Sequence, residues 1–227
     1  MPEQNKLSMH HAIGSGHSSW AASIRILSLG GVVGPVLFAL VTAISAALRP
    51  DYSHTTSFIS ELGASGTPHA PIMNYLGFVP AGLLLAAFGI SLMSITPRHV
   101  LTVVGSALVV LFGLGVAASG IFSCDPGCPV SGGSLENAIH NSIGPLAFIA
   151  LACGVGLLGI EFRRLPYLRR FSLYSFVTSV LGLLFIAAIV GSLEAKTLTG
   201  VWQRLFLATL FLWCAVIGIR AFRYRRQ

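Results

Sequence analysis

Six apolar runs, each long enough to cross a lipid bilayer as a helix, dominate this sequence. They cover residues 26–48, 72–95, 101–122, 137–160, 171–193 and 201–221. An α-helix needs roughly 20 apolar residues to span the hydrocarbon core of a membrane. Hydrophobic residues make up 54% of the chain and charged residues 9%, with a mean hydropathy of +0.81, which excludes an ordinary soluble globular domain. The sequence therefore predicts an all-α, polytopic integral membrane protein with a bundle of six transmembrane helices.

The basic residues divide unevenly between the two sides of the predicted membrane domain. Six crossings place both termini on one side, and eleven Lys and Arg residues fall there, whereas Arg49, Lys196 and Arg204 fall on the other, outer side. Short loops rich in Lys and Arg stay in the cytoplasm. We therefore predict that both termini are cytoplasmic and that the protein lies in the cell inner (plasma) membrane.

The chain ends and the net charge fit this topology. Residues 1–25 are polar and lack apolar periodicity, which predicts a disordered cytoplasmic tail. Residues 26–221 then form the six-helix domain, and residues 222–227 form a basic cytoplasmic tail. The net charge of +7 lies in loops and tails, where anionic headgroups attract it. It predicts membrane lipids as partners and requires no nucleic acid, while the sequence points to no particular protein partner.

The first outer loop gathers titratable residues in the segment RPDYSHTTSFISELG, residues 49–63. Pro50 cannot extend the first helix. Residues 56–62 can form about two helical turns that end at Gly63 as a C-terminal cap. Because Phe58, Ile59 and Leu62 share one face of those turns, we predict a short interfacial helix that lies on the membrane with this face down.

The second outer loop contains two cysteines on either side of an Asp-Pro-Gly turn. In an oxidising compartment Cys124 and Cys128 would pair as a disulfide. Ligation of zinc by the two thiolates is the alternative, given the histidines in the outer segments.

His140 follows this loop in the opening turns of the fourth helix, four residues after Glu136. It is predicted at or below the level of the lipid headgroups, where an ionisable side chain must face the bundle interior or a wet cavity, which indicates a functional site. The alternative is a histidine that joins two helices through a hydrogen bond to Glu136 or to a backbone carbonyl.

Three classes of function stay open. The first is a metal-assisted hydrolase of a lipid-like substrate at the outer leaflet, with zinc bound by His54, Asp125 and His140. Its metal-free version uses a histidine as base and a serine as nucleophile. The second is a membrane protein that binds a lipid or a partner without catalysis, its outer polar residues being a structural cap. The third is a small-solute transporter, which the scarcity of ionisable residues in the helix centres disfavours.

The candidate site residues all lie on the outer side of the predicted bundle. Arg204 beside Trp202 is typical of an interfacial anchor, and a grip on a lipid phosphate by Arg204 or Arg49 is the alternative. The candidate catalytic residues are Glu61 as general base, Ser60 and His54. The candidate substrate-binding residues are Arg49, Asn74, Asn141 and Arg204.

Two sequence patterns resemble a known family. The first is Pro50-Asp51-Tyr52-Ser53-His54, then Ile59-Ser60-Glu61-Leu62-Gly63-Ala64, then Asn74 and Gly77; the second is Gly120-Ile121-Phe122, then Asp125, then His140-Asn141. Over residues 27–221 the chain resembles the uncharacterised prokaryotic membrane proteins of the domain of unknown function 998 family. The resemblance implies a six-helix topology and supplies no activity.

Reporter fusions test the predicted orientation. Alkaline phosphatase is active only outside the cytoplasm, so we expect activity when it is fused after Gly66, in the first outer loop, and none when it is fused after Gln227. Fusions of green fluorescent protein at the same two positions serve as controls and should give the opposite pattern. Active phosphatase at Gln227 would contradict the orientation that the basic residues predict.

Overall fold

The computed structural model describes residues 23–195 and 197–224, and these residues form a helical bundle without a strand. Six of its helices are long and apolar enough to cross a membrane, which confirms the all-α, six-helix prediction. We number them α1 (Ser23–Ala47), α2 (Ile72–Ile95), α3 (Val100–Ile121), α4 (Leu135–Phe162), α5 (Ser172–Gly191) and α6 (Thr199–Arg223).

Most of the two predicted tails, residues 1–22 and 225–227, lies outside the described residues. The rest differs from the prediction, since residues 23–25 belong to α1 and residues 222–223 to α6. We call the end of the bundle where both termini emerge the terminal end. The opposite end is the loop end, formed by residues 48–71, 122–134 and 192–198.

The helices pack in chain order, each against the next, and α6 returns to α1 to close the ring. Glycines allow α2 and α3 to approach closely. A Cβ atom at Gly82 would lie 2.4 Å from the Ala117 nitrogen, and one at Gly113 would lie 2.3 Å from the Ala86 nitrogen. Small residues let helix backbones approach closely in lipid, where apolar surface alone does not drive helices together.

Aromatic side chains fill the centre of the ring. Phe38 of α1 makes edge-to-face contacts with Phe78 of α2 and Phe211 of α6, at centroid distances of 5.4 and 5.5 Å. Trp213 is fully buried, and its indole N–H donates to the Ser175 hydroxyl at 2.8 Å, which ties α6 to α5. These contacts combine close packing with a satisfied polar group, as a buried tryptophan requires.

The first turns of α2 form a π-helix from Ile72 to Phe78, followed by regular α-helix from Val79 to Ile95. The Val79 N–H donates to the Asn74 carbonyl five residues earlier. Pro80, the next residue, has no N–H and leaves one helical acceptor without its usual donor. Single π-turns occur often at functional positions, and this one holds Asn74 buried inside the loop end.

The contact between Gly82 and Gly113 predicts a large difference between two glycine substitutions. Gly113→Leu should lower stability by about 1–3 kcal/mol, the usual cost of overpacking a close contact. Gly191→Leu is the matched control, because a Cβ atom there meets nothing within 4 Å. Unfolding midpoints in detergent provide the measurement. Equal midpoints for the two variants would mean that α2 and α3 do not approach as described.

Candidate functional site

The first loop folds over the bundle and is held by its own charged residues. The Arg49 guanidinium donates to the Glu61 carbonyl, and the Glu61 carboxylate accepts from the Phe58 N–H at 2.8 Å. In place of the two-turn interfacial helix predicted over residues 56–62, the structure has one 3-10 turn, Ile59–Gly63. Ile59 is buried in the bundle and does not lie on the membrane surface. The difference arises because the backbone N–H groups at the start of this turn donate to the side chains of Glu61 and of a glutamine in α6.

Asn74 joins the first two loops of the loop end. Its side-chain nitrogen donates to the Gly63 carbonyl and to the Ser123 hydroxyl, both at 2.9 Å. The Ser123 N–H in turn donates to the Glu136 carboxylate at 2.7 Å. A Cβ atom at residue 63 would lie 2.0 Å from the Asn74 side-chain oxygen, so this approach requires the glycine. Asn74 is therefore a bridge between loops.

Asp125 closes the second loop at the start of α4. Its carboxylate accepts from the Ser134 N–H at 2.7 Å and from the Ser134 hydroxyl at 2.8 Å. The Ser134 oxygen caps α4 by accepting from the Asn137 N–H at 3.1 Å. The N–H and the hydroxyl of Ser134 hold the pKa of the Asp125 carboxyl below its usual value.

The same loop contains a disulfide between Cys124 and Cys128, whose Cα atoms lie 5.1 Å apart. The Cys128 sulfur lies 3.5 Å from the Ser60 hydroxyl oxygen, so the first and second loops of the loop end meet here. The side-chain amides of Asn137 and Asn141 both donate to the Pro129 carbonyl, at 3.0 and 2.8 Å. Asn141 thus fixes the loop beside the disulfide.

His140 lies in the second turn of α4 and is only 7% exposed. Its Nδ1 lies 2.8 Å from the Phe122 carbonyl oxygen. A carbonyl accepts only, so Nδ1 donates the proton of this hydrogen bond. His140 fits both interpretations drawn from the sequence: it forms a hydrogen bond to a backbone carbonyl, and it lines a cavity.

That cavity, of about 210 Å³, lies at the loop end between α4 and α5. We call it the loop-end cavity. Ser60, His140, Asn141 and Gln203 are its polar lining residues, and the remaining wall is mainly apolar. Its rim includes Val190, which is 61% exposed on the outer face of α5. The cavity therefore reaches the side of the bundle that faces lipid.

A smaller cavity of about 50 Å³ continues toward the centre of the bundle. It shares Ser60, His140, Gln203 and Phe148 with the loop-end cavity and ends against the aromatic core. The polar groups therefore lie where the loop-end cavity meets the smaller, apolar cavity.

Gln203 is the site residue that sequence reasoning missed. Its side-chain oxygen accepts from the Ile59 N–H at 2.8 Å, which holds the first loop against α6. The signal in the sequence was an amide in the first turns of an apolar helix, where it needs a polar partner. Its neighbour Arg204 donates to the Ser57 carbonyl at 3.2 Å, to the Gly200 carbonyl at 2.8 Å and to the Tyr52 hydroxyl.

The structure brings together only some of the predicted site residues. Ser60, His140 and Asn141 line one cavity, whereas Arg49, Glu61, Asn74, Asp125 and Arg204 hold backbone or loop groups. His54 is exposed, with its ring against that of Tyr52 at 5.3 Å. Within residues 23–195 and 197–224, no three His, Cys, Asp or Glu side chains converge to hold a metal ion. Zinc at His54, Asp125 and His140 stays a prediction.

Protonation of Asp125 should release the second loop. The pKa of the Asp125 carboxyl is lowered in the folded protein. The charged carboxylate therefore stabilises the loop fully above the ordinary pKa of 3.8, and this stabilisation is lost as the pH falls through the lower folded-state pKa. At neutral pH we expect faster hydrogen exchange of the Ser134 amide in Asp125→Asn than in the wild type. Corrected for intrinsic rates, the two should converge only below pH 3.8. Asp51→Asn is the control, since Asp51 is an exposed first-loop carboxylate. Equal exchange of the Ser134 amide in Asp125→Asn and in the wild type would contradict the role of Asp125 in holding the loop.

Comparison with known proteins identifies the family. A family model described as a protein of unknown function (DUF998) matches residues 32–220. No curated protein and no solved structure matches the chain. The matched segment contains four complete membrane-spanning helices, α2 to α5, and most of α1 and α6. The chain therefore belongs to the DUF998 family.

Proposed function

We propose that this membrane protein binds an amphipathic, lipid-like molecule in the loop-end cavity. The observation that carries the proposal is a cavity of about 210 Å³ with polar groups at its inner side and an apolar rim at the lipid-facing surface. Ligand sites commonly combine such apolar walls with a few convergent polar groups.

The apolar part of the ligand is assigned to the gap between α4 and α5. Phe148 of α4 and Ile186, Ile189 and Val190 of α5 line this gap. A hydrocarbon chain already dissolved in the bilayer gains little hydrophobic free energy by entering, because lipid is as apolar as these side chains. Selection must therefore come from shape and from the polar end of the site.

The polar end favours an uncharged headgroup. No Asp, Glu, Lys or Arg occurs among the residues that line this cavity. The Gln203 side-chain nitrogen has no partner among the described residues, and the Asn141 oxygen likewise has none, so the wall offers one donor and one acceptor. The His140 ring lines the same wall. We propose a ligand head with hydroxyl or ester groups, such as that of a diacylglycerol.

Hydrolysis of a bound ester is a second proposal, favoured by one observation: Ser60 and His140 line the same two connected cavities. In this scheme the Ser60 oxygen attacks the ester carbonyl, its proton passes to His140, and the alcohol leaves with that proton. Water then attacks the acyl group on Ser60 and gives a proton to His140, and the acid is released as that proton returns to the Ser60 oxygen. Glu61 has no place in the scheme, because its carboxylate caps the Phe58 N–H. Ser60→Ala should abolish hydrolysis and leave binding intact. Zinc-dependent hydrolysis and transport stay predictions from the sequence.

Filling the loop-end cavity tests the binding proposal. Gly144 lines the cavity, and a Cβ atom there meets nothing within 4 Å, so Gly144→Leu places a side chain in the empty space. We expect labelling by a photoreactive diacylglycerol in nanodiscs to fall about tenfold, because the added side chain and the ligand would compete for the same volume and overpacking costs about 1–3 kcal/mol.

Gly191→Leu is the matched control, because it adds the same side chain in open space at an α5 position that does not line the cavity. It should label like the wild type. Equal labelling of Gly144→Leu and wild type would overturn the binding proposal.

A further inference from the structure

The terminal end carries a second, larger cavity, of about 750 Å³. We call it the terminal cavity. Its wall comes from the start of α1, the connection between α2 and α3, and Tyr224 after α6. It shares no residue with the loop-end cavity, so an inference about it does not rest on the function proposed above.

Two arginines give the terminal cavity its charge. Arg25 and Arg98 both line it, and no Asp or Glu does among the residues that the structure describes. Arg25 is held in place, because its Nε donates to the Phe222 carbonyl at 2.9 Å and its guanidinium lies 5.3 Å from the Phe222 ring centroid. Its two terminal nitrogens make no hydrogen bond to any described residue. Arg98 is exposed and forms neither a hydrogen bond nor an ion pair within the described part of the chain.

The nearby carboxylate does not neutralise these arginines. Glu161 is fully buried, lies 2.5 Å from the His99 ring and forms an ion pair with Arg164 at 3.5 Å. Its carboxylate is therefore already paired with His99 and Arg164. The terminal cavity presents two guanidinium groups without an opposing charge.

The serine and threonine hydroxyls in the cavity wall are already used as donors. Ser94 donates to the Ile90 carbonyl at 3.0 Å, and Thr96 donates to the Leu92 carbonyl at 2.7 Å. The Tyr224 hydroxyl and the guanidinium N–H groups are left as donors for a ligand, and a guanidinium matches the planar, bidentate geometry of a phosphate. Ile24, Ile95 and Val103 supply apolar surface beside them.

We propose that the terminal cavity binds the phosphate headgroup of an anionic membrane phospholipid, which Arg25 and Arg98 contact while the acyl chains lie along the apolar wall. Charge complementarity selects this occupant: a zwitterionic lipid brings its own cation, which two adjacent arginines repel. The headgroup layer of a membrane crossed by α1–α6 lies at this level, so the lipid reaches the site without leaving the bilayer.

Native mass spectrometry of the full-length protein tests the proposal. Phosphatidylglycerol is titrated onto detergent-purified protein, with phosphatidylcholine as the reference lipid. An arginine near a membrane surface contributes about 1 kcal/mol, so Arg98→Gln should weaken retention of one phosphatidylglycerol about fivefold and the Arg25→Gln, Arg98→Gln double variant roughly thirtyfold.

The matched control is the Arg169→Gln, Arg170→Gln double variant. It removes the same charge from exposed positions at the same end that do not line the cavity, and it should retain the lipid like the wild type. Because Arg98 forms neither a hydrogen bond nor an ion pair within the described chain, Arg98→Gln should also keep the wild-type unfolding midpoint. Gly144→Leu should retain phosphatidylglycerol, which separates this site from the loop-end cavity.

Three results would overturn the proposal. Equal losses in the two double variants would show diffuse attraction by surface charge. Equal retention of phosphatidylglycerol and phosphatidylcholine by the wild type would show no anion selectivity. Complete displacement of the lipid by excess inorganic phosphate would assign the site to a soluble phosphate and not to a lipid.

Discussion

Every polar group that enters the hydrocarbon layer must find its partner inside the protein, and the loop end is organised by this requirement. The loops that close the bundle expose backbone N–H and carbonyl groups close to that layer. Side chains satisfy them: Asn74 bonds the Gly63 carbonyl, Gln203 the Ile59 N–H, and His140 the Phe122 carbonyl. Removing one partner would leave a buried polar group unsatisfied, which costs several kcal/mol in hydrocarbon.

This requirement changes the meaning of the polar cluster in the sequence. A concentration of Arg, Asp, His and Glu in an apolar chain resembles an active site, yet most of its members bond the backbone. Arg204 and Arg49 hold the first loop through carbonyls, and Asp125 holds the second loop through Ser134. The groups left to face a ligand are the uncharged ones that line the loop-end cavity. The two cavities are therefore chemically different, since the loop-end cavity is neutral and the terminal cavity is cationic.

The six helices could be predicted from the sequence because their signal is local: apolar length fixes each span, and Ser134 marks the start of α4 as its N-cap. The first-loop helix was predicted too long, because its hydrogen bonds are decided by distant partners. The Ile59 N–H, for example, donates to the side-chain oxygen of Gln203, which lies 144 residues later in the chain. The order of the helices around the ring likewise decides which ionisable residues lie close together. The sequence therefore could not show that His54 lies apart from the cavity that His140 lines.

The most direct test of this account is a cryo-EM structure of the protein in a lipid nanodisc. The account predicts elongated density between α4 and α5 that enters beside Val190 and ends next to His140 and Gln203. A map in which side chains of α4 and α5 close this gap, and in which no density reaches His140 from the lipid, would contradict it.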